Sequence, residues 1–164
     1  MSGAGAPNAT EAIDGSGLKV VIVAGTWHEQ ITDGLIAGAT RTLEASGADY
    51  SLVRVPGSFE LPVVSKAALE SGADAVVALG VIIRGGTPHF EYVSSAATDG
   101  LTRVALYTGK PVGFGVLTLD DEAQGIDRAG LPGSKEDKGE EAAHAALVTA
   151  IALRELREQQ ELRG

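Results

Sequence analysis

The chain has 164 residues, of which 44% are hydrophobic and 21% charged, the size and composition of one globular domain rather than of a disordered segment. Thirteen basic against 22 acidic side chains give a formal charge of -9, which argues against nucleic acid or an anionic membrane as partner, since either would need a basic face. The absence of cysteine excludes disulfides, thiolate nucleophiles and thiolate metal sites; the three histidines lack metal-ligand spacing, and no apolar run reaches a membrane span.

Residues 1–15 are small and polar, without the basic and apolar regions of a signal peptide, and are expected to form a flexible arm ahead of a single domain over 16–164. The expected address is the cytoplasm. The nearly unbroken apolar run 18–24 predicts a strand covered on both faces. Ile31, Leu35, Ala39 and Leu43 then recur every four residues, predicting a helix over 29–46 with one buried stripe. A strand over 50–55 ends at Pro56-Gly57, and a helix over 60–71 tolerates Pro62 in its first turn. The run 75–83 is the most completely apolar and predicts a central strand.

After Arg84-Gly85-Gly86, Thr87 is a suitable N-cap and Pro88 a suitable first residue for a helix through 106. A strand over 111–119 and a short helix over 121–129 precede the break Gly130-Leu131-Pro132-Gly133. The last helix, 138–163, has Ala143, Ala146, Ala150, Leu153 and Leu156 along one side. Strands alternating with helices at this spacing imply right-handed crossovers. The expected fold class is therefore α/β: a three-layer sandwich around a central four-stranded parallel sheet, flavodoxin-like. Such sheets place their sites beyond the C-terminal ends of the strands.

The segments at those strand ends carry the chemistry. Trp27 and Phe59 are planar side chains in Gly-containing loops, suited to holding a flat heterocycle and equally suited to packing. Glu60 either caps its own helix or accepts hydrogen bonds from an amine or polyhydroxyl ligand. Gly85, Gly86 and Thr87 could turn backbone N–H groups and a helix N-terminus toward a phosphate without a P-loop lysine. His89 follows in the first helical turn, where the dipole favours the neutral imidazole that accepts protons. Arg128 and Lys138 flank the Gly/Pro-rich break and are either surface charges or anion ligands. Neither a Walker A motif nor GxGxxG is present, which disfavours ATP hydrolysis and standard dinucleotide binding.

Taken together, Trp27, Gly57-Ser58-Phe59-Glu60-Leu61-Pro62, the run from Gly80 to Tyr92, Gly115-Val116-Leu117-Thr118 and Asp127-Arg128-Ala129-Gly130 with Lys138-Gly139 resemble the lumazine synthase family. The resemblance implies condensation of 5-amino-6-ribitylamino-pyrimidinedione with 3,4-dihydroxy-2-butanone 4-phosphate to 6,7-dimethyl-8-ribityllumazine, releasing phosphate and water. This is the penultimate step of riboflavin biosynthesis, and it needs no metal or redox cofactor. By the same resemblance Trp27 stacks on the pyrimidine, while Ser58, Phe59 and Glu60 hold the ring and ribityl chain. Val81, Ile82 and Ile83 offer backbone contacts; Gly85, Gly86, Thr87 and Arg128 bind phosphate; His89 transfers protons. Phe114, Arg128 and Lys138 are expected from the neighbouring subunit of a ring.

Two departures stand out. His28 occupies a position where many relatives have Asn, and the link from Gly130 to Lys138 is longer than in shell-forming relatives, which resembles the pentameric branch. The partners implied are two small-molecule substrates, further copies of the chain in a pentamer, and riboflavin synthase as a candidate. A different phosphosugar or flavin enzyme would share the glycine turn, and a non-catalytic scaffold or flavin-sequestering member would share the assembly.

Overall fold

The structure, a computed structural model, describes residues 4–6 and 12–164. Part of the expected arm, residues 1–3 and 7–11, lies outside the described residues. Ile13 packs against the larger core, and the Gly15 N–H donates to the Ser46 carbonyl at 2.8 Å.

Four parallel strands form one sheet in the order β2-β1-β3-β4. In chain order the elements are β1 (Lys19–Ala24), α1 (Glu29–Ser46), β2 (Asp49–Arg54), a 3-10 turn (Ser58–Glu60), α2 (Leu61–Glu70), β3 (Ala75–Ile83), α3 (His89–Thr108), β4 (Val112–Leu119), α4 (Glu122–Ile126) and α5 (Lys138–Arg163). Helices α1 and α5 cover one face and α2 and α3 the other, the three-layer arrangement expected.

The two faces divide the apolar runs by their period of two. From β3, Val77, Leu79 and Val81 enter the core beneath α1 and α5, whereas Val76, Ala78 and Ile82 enter the core beneath α2 and α3. Strand β1 divides likewise, with Val20 and Ile22 on one side and Val23 on the other. On α1 the four stripe residues Ile31, Leu35, Ala39 and Leu43 are all fully buried.

Helix α5 approaches α1 and β4 closely enough that its sequence must be small. A Cβ at Gly139 would collide with the Leu35 carbonyl oxygen, and one at Gly113 of β4 with the Ala142 carbonyl oxygen. The apolar side of α5 is therefore Ala142, Ala143, Ala146, Leu147 and Ala150. The expected stripe holds only in its first half: Leu153 is half-buried and Leu156 exposed, because the last turns of α5 run past the start of the strands.

Two further bounds differ from expectation by more than one residue. Helix α3 continues through Thr108, where Gly109 ends it in the left-handed conformation. Helix α4 stops at Ile126 because the chain beyond it pairs instead: Ala129 and Asp137 form an antiparallel bridge, with Gly130 N–H donating to Glu136 O and Lys138 N–H to Arg128 O.

Replacing Gly139 with Ala should force α5 away from α1 and destabilise the fold by about 1–3 kcal/mol, the usual cost of overpacking. A urea unfolding midpoint that falls without a change in slope is the expected readout.

Candidate active site

The order of the sheet reverses between β1 and β3, since β1 leads outward to β2 and β3 outward to β4. A cleft of about 580 Å³ opens there, at the C-terminal ends of the strands. Its walls are Trp27 and His28 after β1, residues 56–60 after β2, residues 81–83 along β3, and His89, Tyr92 and Val93 of α3.

Strand register creates the floor. Pairing of β3 with β1 ends at Leu79 opposite Ala24, whereas pairing with β4 continues to Ile83 opposite Leu119. Residues 80–83 therefore keep a strand on one side only. Val81 and Ile82 bury their side chains in the two cores, so along this edge they present backbone to the cleft.

The rim is built by ties between the first two loops. Gly25 N–H donates to Leu79 O at 3.0 Å, and Thr26 reaches the Pro56 carbonyl through both its N–H at 3.3 Å and its hydroxyl at 2.7 Å. Arg54 donates to the Gly25 carbonyl at 3.0 Å. This brings the Trp27 indole edge against Gly57, where a Cβ would stand 3.3 Å from Cδ1. Trp27 and Phe59 remain 66% and 65% exposed, two large aromatic surfaces left in water beside a cleft.

Ser58 is buried over Gly80, where a Cβ would strike its hydroxyl. Glu60 caps the 3-10 turn rather than α2, which has no side-chain cap: its carboxylate accepts the Gly57 N–H at 3.0 Å while the residue still lines the cleft.

The turn from Arg84 to His89 is held by its first residue. The Arg84 N–H donates to Leu119 O at 2.8 Å, its guanidinium pairs with Glu91 at 2.7 Å and Asp120 at 3.1 Å, and it stacks over Phe90 at 4.3 Å. Hydrogen bonds from Arg84 hold the carboxyls of Glu91 and Asp120 below the usual range, with Gln124 assisting at Asp120. Gly85, Gly86 and Thr87 are exposed, and a Cβ on either glycine would meet nothing within 4 Å.

The helix start differs from the sequence reading. Pro88, not Thr87, occupies the N-cap position, no side chain caps the helix, and α3 begins at His89. Pro88 has turned into a near-helical conformation, φ -66 and ψ 1, so its carbonyl takes the Glu91 N–H in a tight first turn.

Eight of the residues singled out from sequence meet around this cleft: those at 27, 58–60, 81–83 and 89. Gly85 to Thr87 sit between β3 and α3 at its edge. Phe114, Arg128 and Lys138 do not line it. Phe114 is 48% exposed midway along β4. Arg128 and Lys138 share the Glu136 carboxylate, at 3.5 and 3.4 Å, and Lys138 also reaches Glu141 at 2.8 Å. Burial works against the Lys138 charge, but the hydrogen bond and charge of Glu141, with Glu136, outweigh it and raise its pKa.

Tyr92 and His28 line the cleft without having been assigned to it. Tyr92 was legible, standing three residues from His89 on one helix face. Among the described residues no group of three or more His, Asp or Glu side chains is arranged to hold a metal, and no helix is long and apolar enough to cross a membrane.

A doubly covered parallel sheet with its cleft at the reversal of strand order defines an α/β protein of the flavodoxin-like type. Residues 17–154 match the family model described as 6,7-dimethyl-8-ribityllumazine synthase. The chain is 84% identical over 157 residues to the 6,7-dimethyl-8-ribityllumazine synthase of Leifsonia xyli subsp. xyli, covering 96% of this chain and 99% of that protein. It is 69% identical to that of Clavibacter michiganensis subsp. michiganensis, with the same coverage of each, and 62% identical to that of Kineococcus radiotolerans, covering 94% and 95%. The chain belongs to the 6,7-dimethyl-8-ribityllumazine synthase family and is a transferase.

The Arg84 clamp carries a pH dependence with a definite sign. Glu91 and Asp120 are lowered in the folded chain, so their pairing is complete above the unfolded carboxyl range near about pH 4 and is lost as pH falls through the lowered values. The Arg84 side-chain N–H resonance should hold its position down to about pH 4 and move toward that of free arginine through the range below it. A resonance that stays put over that range would remove the clamp.

Proposed function

We propose that this cleft is where the chain carries out the reaction of its family, the condensation that forms 6,7-dimethyl-8-ribityllumazine in riboflavin biosynthesis. The observation that carries the reading is the open backbone edge of residues 80–83 facing an exposed tryptophan. A pyrimidinedione has ring N–H and C=O groups that pair with such an edge in its own plane, and flat faces that stack on Trp27. The ribityl chain then runs toward Ser58, Phe59 and Glu60.

The ketone phosphate docks beside it, with its phosphate over Gly85, Gly86 and Thr87. The uncapped N–H groups and dipole of α3 favour an anion there. The pyrimidine amine attacks the ketone carbonyl to give an imine and one water, phosphate leaves by elimination, and the ribitylamino nitrogen then closes the ring on the remaining carbonyl with loss of a second water. No protein nucleophile is needed, so the site supplies proximity, a proton carrier in His89 and charge at the leaving phosphate.

The charge comes from Arg128, with Phe114 and Lys138, of a neighbouring copy. Within one chain these three stand away from the cleft, and the Gly130-to-Lys138 link supports a pentamer, which we infer for the whole domain over 16–164. Two small-molecule substrates, a cytoplasmic address and riboflavin synthase as a downstream partner complete the reading.

Replacing His89 with Ala should lower kcat about a hundredfold or more, the usual contribution of a positioned proton carrier, with little change in KM for either substrate. The assay follows lumazine fluorescence after mixing both substrates, and wild-type turnover in the variant would take His89 out of this role. Light scattering on the purified chain should give the mass of five copies; a monomer would leave the cleft without its second wall, and a far larger particle would mean a closed shell.

A further inference from the structure

Helix α1 carries one polar side chain that is completely buried near its start. Thr32 is 0% exposed and is not among the residues lining the cleft. Its hydroxyl donates to the Trp27 carbonyl at 2.8 Å, and its N–H donates to the His28 carbonyl at 3.0 Å. One residue thus holds two consecutive carbonyls on the segment that presents the indole.

That segment is under strain. His28 has φ 56 and ψ 66, the one left-handed non-glycine residue among the described residues, and no side chain caps the helix that it opens. Left-handed backbone is unfavourable for an L-residue, so a partner must hold it. The kink turns the chain from β1 so that Trp27 stands over the cleft with its edge on Gly57. Remove the hydroxyl, and the Trp27 peptide loses the bond that fixes its rotation, while the helical bond from the Thr32 N–H remains.

We propose that Thr32 is a positioning residue for the condensation, setting the orientation of Trp27 without touching substrate. This rests on Trp27 being the surface on which the pyrimidine stacks. It also assigns a use to a buried hydroxyl beside an apolar stripe.

Trp27 is the sole tryptophan of the chain, so its fluorescence reads the proposal directly. Thr32→Val should raise KM for 5-amino-6-ribitylamino-pyrimidinedione about five- to tenfold, the worth of one hydrogen bond. The KM for the ketone phosphate should be unchanged and kcat at saturation within about twofold. The anisotropy of Trp27 should decay faster, and Thr32→Ser, which keeps the hydroxyl, should restore both KM and anisotropy. If Thr32→Val does not fold, Thr32→Ala takes its place.

Wild-type KM and anisotropy in the variant, or a fall in melting temperature with neither altered, would overturn the role of Thr32. So would a loss of kcat with both KM values shifted together. Trp27→Ala separates the underlying reading. Should that variant bind the pyrimidine as tightly as wild type, stacking on Trp27 is wrong whatever Thr32→Val does; should it bind weakly while Thr32→Val behaves as wild type, only the positioning role is wrong.

Discussion

Strand β3 outruns β1, and the offset of four residues is what the cleft rests on. A parallel strand can extend beyond its neighbour only if something else keeps its backbone bonded and its side chains dry. Strand β4 does the first, following β3 to Ile83, and the two helical layers do the second, receiving Val81 on one side and Ile82 on the other. Shorten β3 by a turn of the pleat and the floor disappears. Lengthen β1 by as much and a strand fills the space that a ligand would take.

The same economy governs the far side of the molecule. Asp137 caps α5 by accepting the Glu140 N–H at 3.0 Å, pairs with Arg41 of α1 at 2.9 Å, and its carboxylate lies against Gly38 and Gly130, either of which would strike it with a Cβ. The bridge to Ala129 ties both ends of the α4–α5 link to this point. Arg128 and Lys138 are thereby presented side by side, with Glu136 between them and Glu141 beyond. Two cations and two carboxylates balance, so Arg128 presents a paired rather than a bare charge.

Most of the architecture was legible because its signals were redundant. Period-two burial in β3, the four-residue stripe of α1 and the Pro/Gly breaks each point to the same fold. What failed to read did so for local reasons. Thr87 looks like a cap, yet Pro88 takes the cap position by turning early. The alanine stripe of α5 keeps its period past the sheet, where period no longer implies burial. Thr32 sits beside Ile31 and one turn before Leu35, and nothing in a polar residue at the margin of a stripe announces that it is dry. Arg84 stands between β3 and the glycine turn, but its partners Glu91 and Asp120 come together only through the fold.

The left-handed backbone at residue 28 also limits what this corner of the cleft can become. Asn, Asp, Gly and His enter that conformation with least penalty, while β-branched and bulky residues are outliers there. The main chain therefore chooses the alphabet before any ligand does. Change at position 28 is confined to small polar groups or an imidazole, and a broader change of specificity has to be sought at positions such as Phe59 or Tyr92, whose backbones are ordinary helical turns.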